Sequence, residues 1–143
     1  MIATKRMSAE AFFDTNILLY AIASDDRRAA TAEALLAAGG MINVQVLNEF
    51  TSVAWRKLGL SWDEITEALS AIRALCAPAE PVTVETHEAA LRIAERQGAN
   101  IYDALIIAAA LQAKCRILYS EDMQDGQTID GLTIRNPFRS EVP

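Results

Sequence analysis

The stretch Asn100-Ile101-Tyr102-Asp103-Ala104-Leu105-Ile106-Ile107-Ala108-Ala109-Ala110-Leu111 decides how this chain is read. It is apolar nearly all round, which predicts a helix buried inside a globular core. One acid, Asp103, falls in its first turn, and its same-face neighbours Ile106, Ile107 and Ala110 are all apolar. A carboxylate directed along a buried face costs several kcal/mol unless something offsets it. Asn100 as N-cap with Asp103 three residues on resembles a capping box, and the helix dipole favours an acid there. For this helix alone that local explanation is sufficient. A functional reading gains ground because the same oddity recurs elsewhere.

Working outward, the 143 residues predict one domain with one sizeable core. A content of 52% hydrophobic and 22% charged residues excludes a disordered chain. Acids such as Asp14, Asp25 and Glu49 interrupt every apolar run before it reaches membrane-spanning length. Met1 to Arg6 holds two basic residues but no apolar segment before Glu10, so no signal peptide is expected. Met7 as the start would make residues 1–6 an upstream extension, and a cytoplasmic location is expected. Cys76 and Cys115, without a C-x-x-C pair and with His87 as the single histidine, point to two buried reduced thiols. The net charge of −6 argues mildly against nonspecific nucleic-acid binding.

Short strands are expected at Glu10–Asp14, Met41–Val44, Val82–Val84, Arg116–Ser120 and Leu132–Ile134. Helices are expected at Ile17–Ile22, after a cap at Asp25 or Asp26, from Val46 to about Leu58, after Ser61, over Thr86–Gln97 and from Asn100. Ser61-Trp62-Asp63-Glu64 is a capping box, and Gly39-Gly40 and Gly98 close the helices before them. Alternation of short strands with helices predicts an α/β fold: a central, mostly parallel sheet covered on both faces.

On that outline Asp14 ends the first strand at its carboxyl edge, where open parallel sheets place ligands. Glu49 borders the inner face of its helix between Val46 and Val53. Asp103 opens the core helix. Asp122, with Glu121 and Asp125 nearby, follows the strand ending at Ser120. Each has an ordinary role available as cap, rim acid or turn former. Together, four sequence-distant acids map to one end of one sheet. Clustered carboxylates cannot all ionise without a cation, and hard oxygen donors select Mg²⁺ or Mn²⁺ over zinc. Such ions suit attack of water on a phosphodiester. Asn16 and Ser120 add neutral polar groups at the same edge.

These residues resemble a PIN domain. The resemblance is carried by Asp14-Thr15-Asn16 after a strand, Asn48-Glu49-Phe50, Tyr102-Asp103-Ala104-Leu105 and Leu118-Tyr119-Ser120-Glu121-Asp122, in order from about Phe12 to Pro137. Length and order are most similar to VapC-type toxins of toxin–antitoxin pairs. The resemblance implies a single PIN-like domain over residues 1–143, with its core at about 10–137. It implies a Mg²⁺ or Mn²⁺ site on Asp14, Glu49, Asp103 and Asp122 for endoribonuclease activity, with Asn16, Ser120 and Glu121 as supporting polar residues. The fourth acid is open among Glu121, Asp122 and Asp125, with Asp122 favoured. The resemblance also implies an RNA substrate, a cognate VapB-like antitoxin and a homodimer, with no membrane. Arg27, Arg28, Arg56, Lys57, Arg92 and Arg96 are available to guide phosphates, or to solvate helix faces. No G-x-S-x-G surrounds Ser120, no glycine-rich phosphate loop exists, and Asn16 stands where an aspartyl phosphatase would carry a second Asp. The competing class is a catalytically weak PIN-like module that dimerises and binds a protein partner, with helices 17–22 and 46–58 as contact surfaces.

Overall fold

A computed structural model describes residues 10–23 and 26–139. The elements in chain order are β1 (Ala11–Phe13), α1 (Thr15–Ile22), α2 (Ala29–Ala38), α3 (Val44–Arg56), α4 (Trp62–Leu75), α5 (Val84–Gln97), α6 (Ile101–Gln112), β2 (Ile117–Tyr119), β3 (Thr128–Ile129) and β4 (Leu132–Arg135). The sheet order is β1-β2-β4-β3. β1, β2 and β4 run parallel, with Phe12 opposite Leu118 and Leu118 opposite Ile134, and β3 adds an antiparallel edge. Phe12 and Phe13 are both fully buried. Consecutive strand residues face opposite ways, so both faces of the sheet are covered.

α6 is the core helix that its composition demands. Seven consecutive residues, Ala104 to Ala110, are buried. Such a run leaves no solvated face, and the helix packs most extensively on α5. The Asn100 cap is real, since its Oδ1 accepts from the Asp103 N–H at 2.9 Å. The return bond differs from a capping box: the Asn100 amide donates to the Asp103 carboxylate at 3.1 Å, side chain to side chain. The Ser61 capping box forms in full.

Three expectations need correction. Met41–Val44 is not a strand but a pair of isolated parallel bridges, Phe12 with Met41 and Asn43 with Glu80. The Asn43 side chain accepts from the Val46 N–H and starts α3 at Val44, which ends the extended segment early. Val82–Val84 is likewise no strand; the Thr83 hydroxyl caps α5, which begins at Val84. α2 begins after Arg28 with no side-chain cap, and Asp26 instead accepts from the Arg28 N–H and guanidinium. Asp25 and residues 1–6 lie outside the described residues. The unanticipated β3 pairs with β4 through Asp130-Gly131, both at positive φ as a tight hairpin turn requires. Cys76 and Cys115 are free and buried, and burial pushes both thiols up to about 11. His87 is exposed on α5. Among the described residues no helix is long and apolar enough to cross a membrane.

Candidate carboxylate site

The site begins with the turn after β1. The Asp14 N–H stays in register by donating to the Tyr119 carbonyl, while its side chain leaves the sheet to cap α1 through the Thr15 N–H at 2.8 Å. Asp14 is only 6% exposed. Its second oxygen accepts from the fully buried Ser120 hydroxyl at 2.8 Å, so the edges of two adjacent parallel strands are joined at one carboxylate. Burial nevertheless raises its pKa from 3.8 to about 6; the bonds from Ser120 and Thr15 pull it down, and the charges of Glu49 and Asp103 push it up.

α3 brings in Glu49. One oxygen accepts from the Thr15 hydroxyl at 2.8 Å, and the other from the Gln45 amide, one helical turn earlier, at 2.8 Å. α6 brings in Asp103, oriented by Asn100. Its pKa is raised by partial burial first, then by the charges of Asp122 and Glu49, against the lowering bond from Asn100. The loop after β2 brings in Asp122. All four acids line one cavity of about 290 Å³, together with Asn16, Ser52 and Arg56.

The two other acids of the loop after β2 are engaged elsewhere. Glu121 accepts from Tyr20 and, at 2.7 Å, from Arg28. Its backbone N–H donates to the Asn16 side chain at 3.4 Å, which ties the loop to α1. Glu121 therefore braces the loop and does not line the cavity. Asp125 accepts from the Asn136 N–H and pairs with Arg139. Of the cations considered, Arg56 lines the cavity, donating to Ser52 at 3.1 Å. Arg28 is held by Asp26 and Glu121, and Arg96 by Asp130, beside a separate cavity that Arg92 also lines. Thr15 and Gln45 are the orienting residues that sequence reasoning missed, whereas the Asn100–Asp103 pairing was legible as a helix cap. The Gln45–Glu49 spacing of four was the signal available for one of them.

Among the described residues no basic side chain ion-pairs with Asp14, Glu49, Asp103 or Asp122. No three His, Cys, Asp or Glu side chains among them close into a ready-made metal cage. The donor set is four carboxylates without a compensating cation, and the charges of their neighbours add to burial in raising the Asp14 and Asp103 carboxyls, which fits a hard divalent ion completed by water. Neutral donors hold three of the carboxylates without cancelling their charge, as ligand-orienting groups do.

A mostly parallel open sheet with convergent acids at its carboxyl edge defines an acidic α/β site. The model of the PIN domain matches residues 11–124, and the chain belongs to that family. Its fold is similar to a toxin–antitoxin complex from Klebsiella pneumoniae, with a TM-score of 0.68 at 20% identity over 90% of this chain and 98% of that one. It is similar to Mycobacterium tuberculosis VapC20, a toxin described as cleaving the sarcin–ricin loop, with a TM-score of 0.66 at 25% identity over 79% and 90%. A third structure, VapBC2 from Rickettsia felis bound to a DNA fragment from its promoter, gives a TM-score of 0.65 at 19% identity over 88% and 97%. No curated protein matches the chain in sequence.

Proposed function

We propose that this PIN domain is a Mg²⁺- or Mn²⁺-dependent endoribonuclease and the toxin of a VapBC-type pair. The observation that carries the proposal is the convergence of Asp14, Glu49, Asp103 and Asp122 from four separate segments on one cavity. These four would hold the cation. Bound there, it would acidify a water and neutralise charge developing on the phosphate. The chain's own work is orientation: Ser120 and Thr15 fix Asp14, Thr15 and Gln45 fix Glu49, and Asn100 fixes Asp103. Arg56 stands at the rim to meet the RNA phosphate. Water adds to phosphorus, the P–O3′ bond breaks, and the products are a 5′-phosphate and a 3′-hydroxyl. His87 is exposed on α5 and does not line this cavity, so the reading uses no imidazole base.

The similarity to toxin–antitoxin complexes supports an antitoxin partner, and exposed Trp55, Leu58 and Trp62 supply an apolar surface for it or for a second copy of the chain. The test is cleavage of a labelled RNA pool by protein freed of any partner, with Mg²⁺, Mn²⁺ or EDTA, beside Asp14→Asn and Asp103→Asn. Cutting that needs the metal and disappears in both variants supports the proposal. Equal cutting by wild type and variants would identify a contaminant and refute it.

A further inference from the structure

Asp103 and Asp122 line a second cleft as well as the first. This cleft, of about 230 Å³, opens away from Asp14 and Glu49 toward the end of α5 and the turn before β3. Its apolar wall is made by Ile107, Met123, Ile129 and Ile134, all buried. Gln97, Gln124 and Gln127 also line it. The chain has five glutamines, and the remaining two are committed elsewhere, Gln45 to Glu49 and Gln112 to Thr86. Three carboxamides gathered on one cleft, next to two site carboxylates, call for an occupant.

We propose that this cleft is a nucleobase subsite, which receives the base next to the phosphate held at the four acids. This rests on the ribonuclease reading above. Charge excludes a phosphate here, because two carboxylates and no basic residue line the cleft. A flat, neutral ring with donors and acceptors on its edge fits both the apolar wall and the amides. A guanidinium would satisfy the carboxylates but has only donors, leaving the amide N–H groups unmatched.

The Gln97 and Gln127 amides are also held against each other. The Gln127 amide donates to Gln97 at 3.0 Å, which leaves the Gln97 N–H groups and the Gln127 oxygen as a neighbouring donor and acceptor. Gln124 and Gln127 sit on one turn, closed by the Gln127 N–H to the Gln124 carbonyl. Bonds from the Gly126 N–H to the Ile134 carbonyl, and from the Ile134 N–H to the Gln127 carbonyl, pin that turn to β4. Gly126 has φ +88°, a conformation that side chains rarely adopt. The Gln124 carboxamide has no hydrogen-bond partner among the described residues, and it is exposed, so it is available to a ligand.

The test titrates isotope-labelled protein in EDTA with adenosine, guanosine, cytidine and uridine, and reads the glutamine side-chain amide resonances by NMR. Nucleosides carry no phosphate, so neither the metal nor cleavage enters this readout. The Gln124 and Gln127 amides should shift with one or two nucleosides and not the others, and Gln124→Ala should weaken that response about tenfold. Cut-site mapping on a randomised RNA should then show Gln124→Ala and Gln127→Ala losing base preference about tenfold beside the scissile bond, with the melting temperature kept. No amide response to any nucleoside, or an equal response to all four, would overturn the proposal. A response to free arginine alone would also overturn it and mark a site for a basic protein side chain. A base-selective response in a protein that cuts no RNA would leave the subsite standing and refute the ribonuclease reading instead.

Discussion

Asp14→Asn should abolish cutting and yet stabilise the metal-free protein at pH 7. Burial raises the Asp14 carboxyl from 3.8 to about 6. At about 1.4 kcal/mol per tenfold change in proton affinity, the ionised form costs the fold about 3 kcal/mol. Asparagine removes the charge but keeps the contacts: its oxygen can accept from the Thr15 N–H, and its amide can donate to Ser120, whose hydroxyl rotates. Two charge-assisted bonds become neutral ones, so the net gain falls to about 1–3 kcal/mol. In a chain of this length that is about 3–10 °C in Tm.

The sign with pH follows from the proton balance. Between about pH 4 and pH 6 the folded protein binds a proton at Asp14 that the unfolded chain has released, so stability falls as pH rises through that window. Asp103 is shifted in the same direction and adds to the slope. Thermal denaturation in EDTA should show wild type losing stability from about pH 4 to pH 7, while Asp14→Asn loses less. The advantage of the variant should vanish at about pH 4. A variant less stable than wild type at pH 7, or a gain that ignores pH, would refute the reasoning. Added Mg²⁺ should then stabilise wild type at pH 7 and leave Asp14→Asn little changed, because the cation relieves the same repulsion.

Gln45→Ala and Thr15→Val each remove one donor to Glu49, and each should lower the cleavage rate about 10- to 100-fold with a small change in Tm. Steady-state kinetics beside melting curves checks this. Ser120→Ala leaves a buried carboxylate short of a donor, so the apparent pKa of Asp14 should rise and the stability loss should extend above pH 6; pH-dependent melting in EDTA reads it. Gly40→Ala would place a Cβ 2.4 Å from the buried Phe13 ring and 3.2 Å from the Ala11 carbonyl, costing about 1–3 kcal/mol in urea denaturation. Tyr20→Phe and Arg28→Met loosen the brace on Glu121, and each should lower Tm by only a few degrees, because the Arg28–Glu121 pair is partly exposed.

The parts of this fold legible in the sequence are those set by composition over a long window. The buried run from Ala104 to Ala110, the Ser61 box and the Gly98 stop needed no tertiary information. Met41–Val44 and Val82–Val84 went wrong for one shared reason. Asn43 and Thr83 are β-compatible by neighbourhood, but their side chains cap the helices that follow, and capping chemistry overrode the extended pattern. Of the four acids, Asp14 and Asp122 were placed by strand ends, Asp103 by a helix start, and Glu49 by the apolar spacing of Val46 and Val53 around it. Nothing local distinguished Glu121 from Asp122; Glu121 turns to Arg28 and Tyr20, residues about a hundred positions away. Thr15 was equally hidden, since its partner Glu49 is 34 residues on.

The energetics of Asp14 bear on why the site has this form. A fold that only needed a cap for α1 could use serine or asparagine there at no electrostatic cost. Here the chain holds a carboxylate that is 94% buried, with a second and third acid close enough to raise its pKa further. Its two bonding partners, Ser120 and the Thr15 N–H, lower the cost without supplying positive charge. Such an arrangement disfavours the empty folded state, and on the proposed reading a bound cation would relieve it, so stability would be traded for affinity at the sheet edge. The net charge of −6 then counts less against RNA binding than it first suggests, because the site's own acids contribute to it and a bound cation would offset them. An amide-rimmed cleft that two of those acids also line suits the same logic: on the proposed reading the RNA backbone would approach through the cation and Arg56, and the base would be read where the carboxylates repel phosphate.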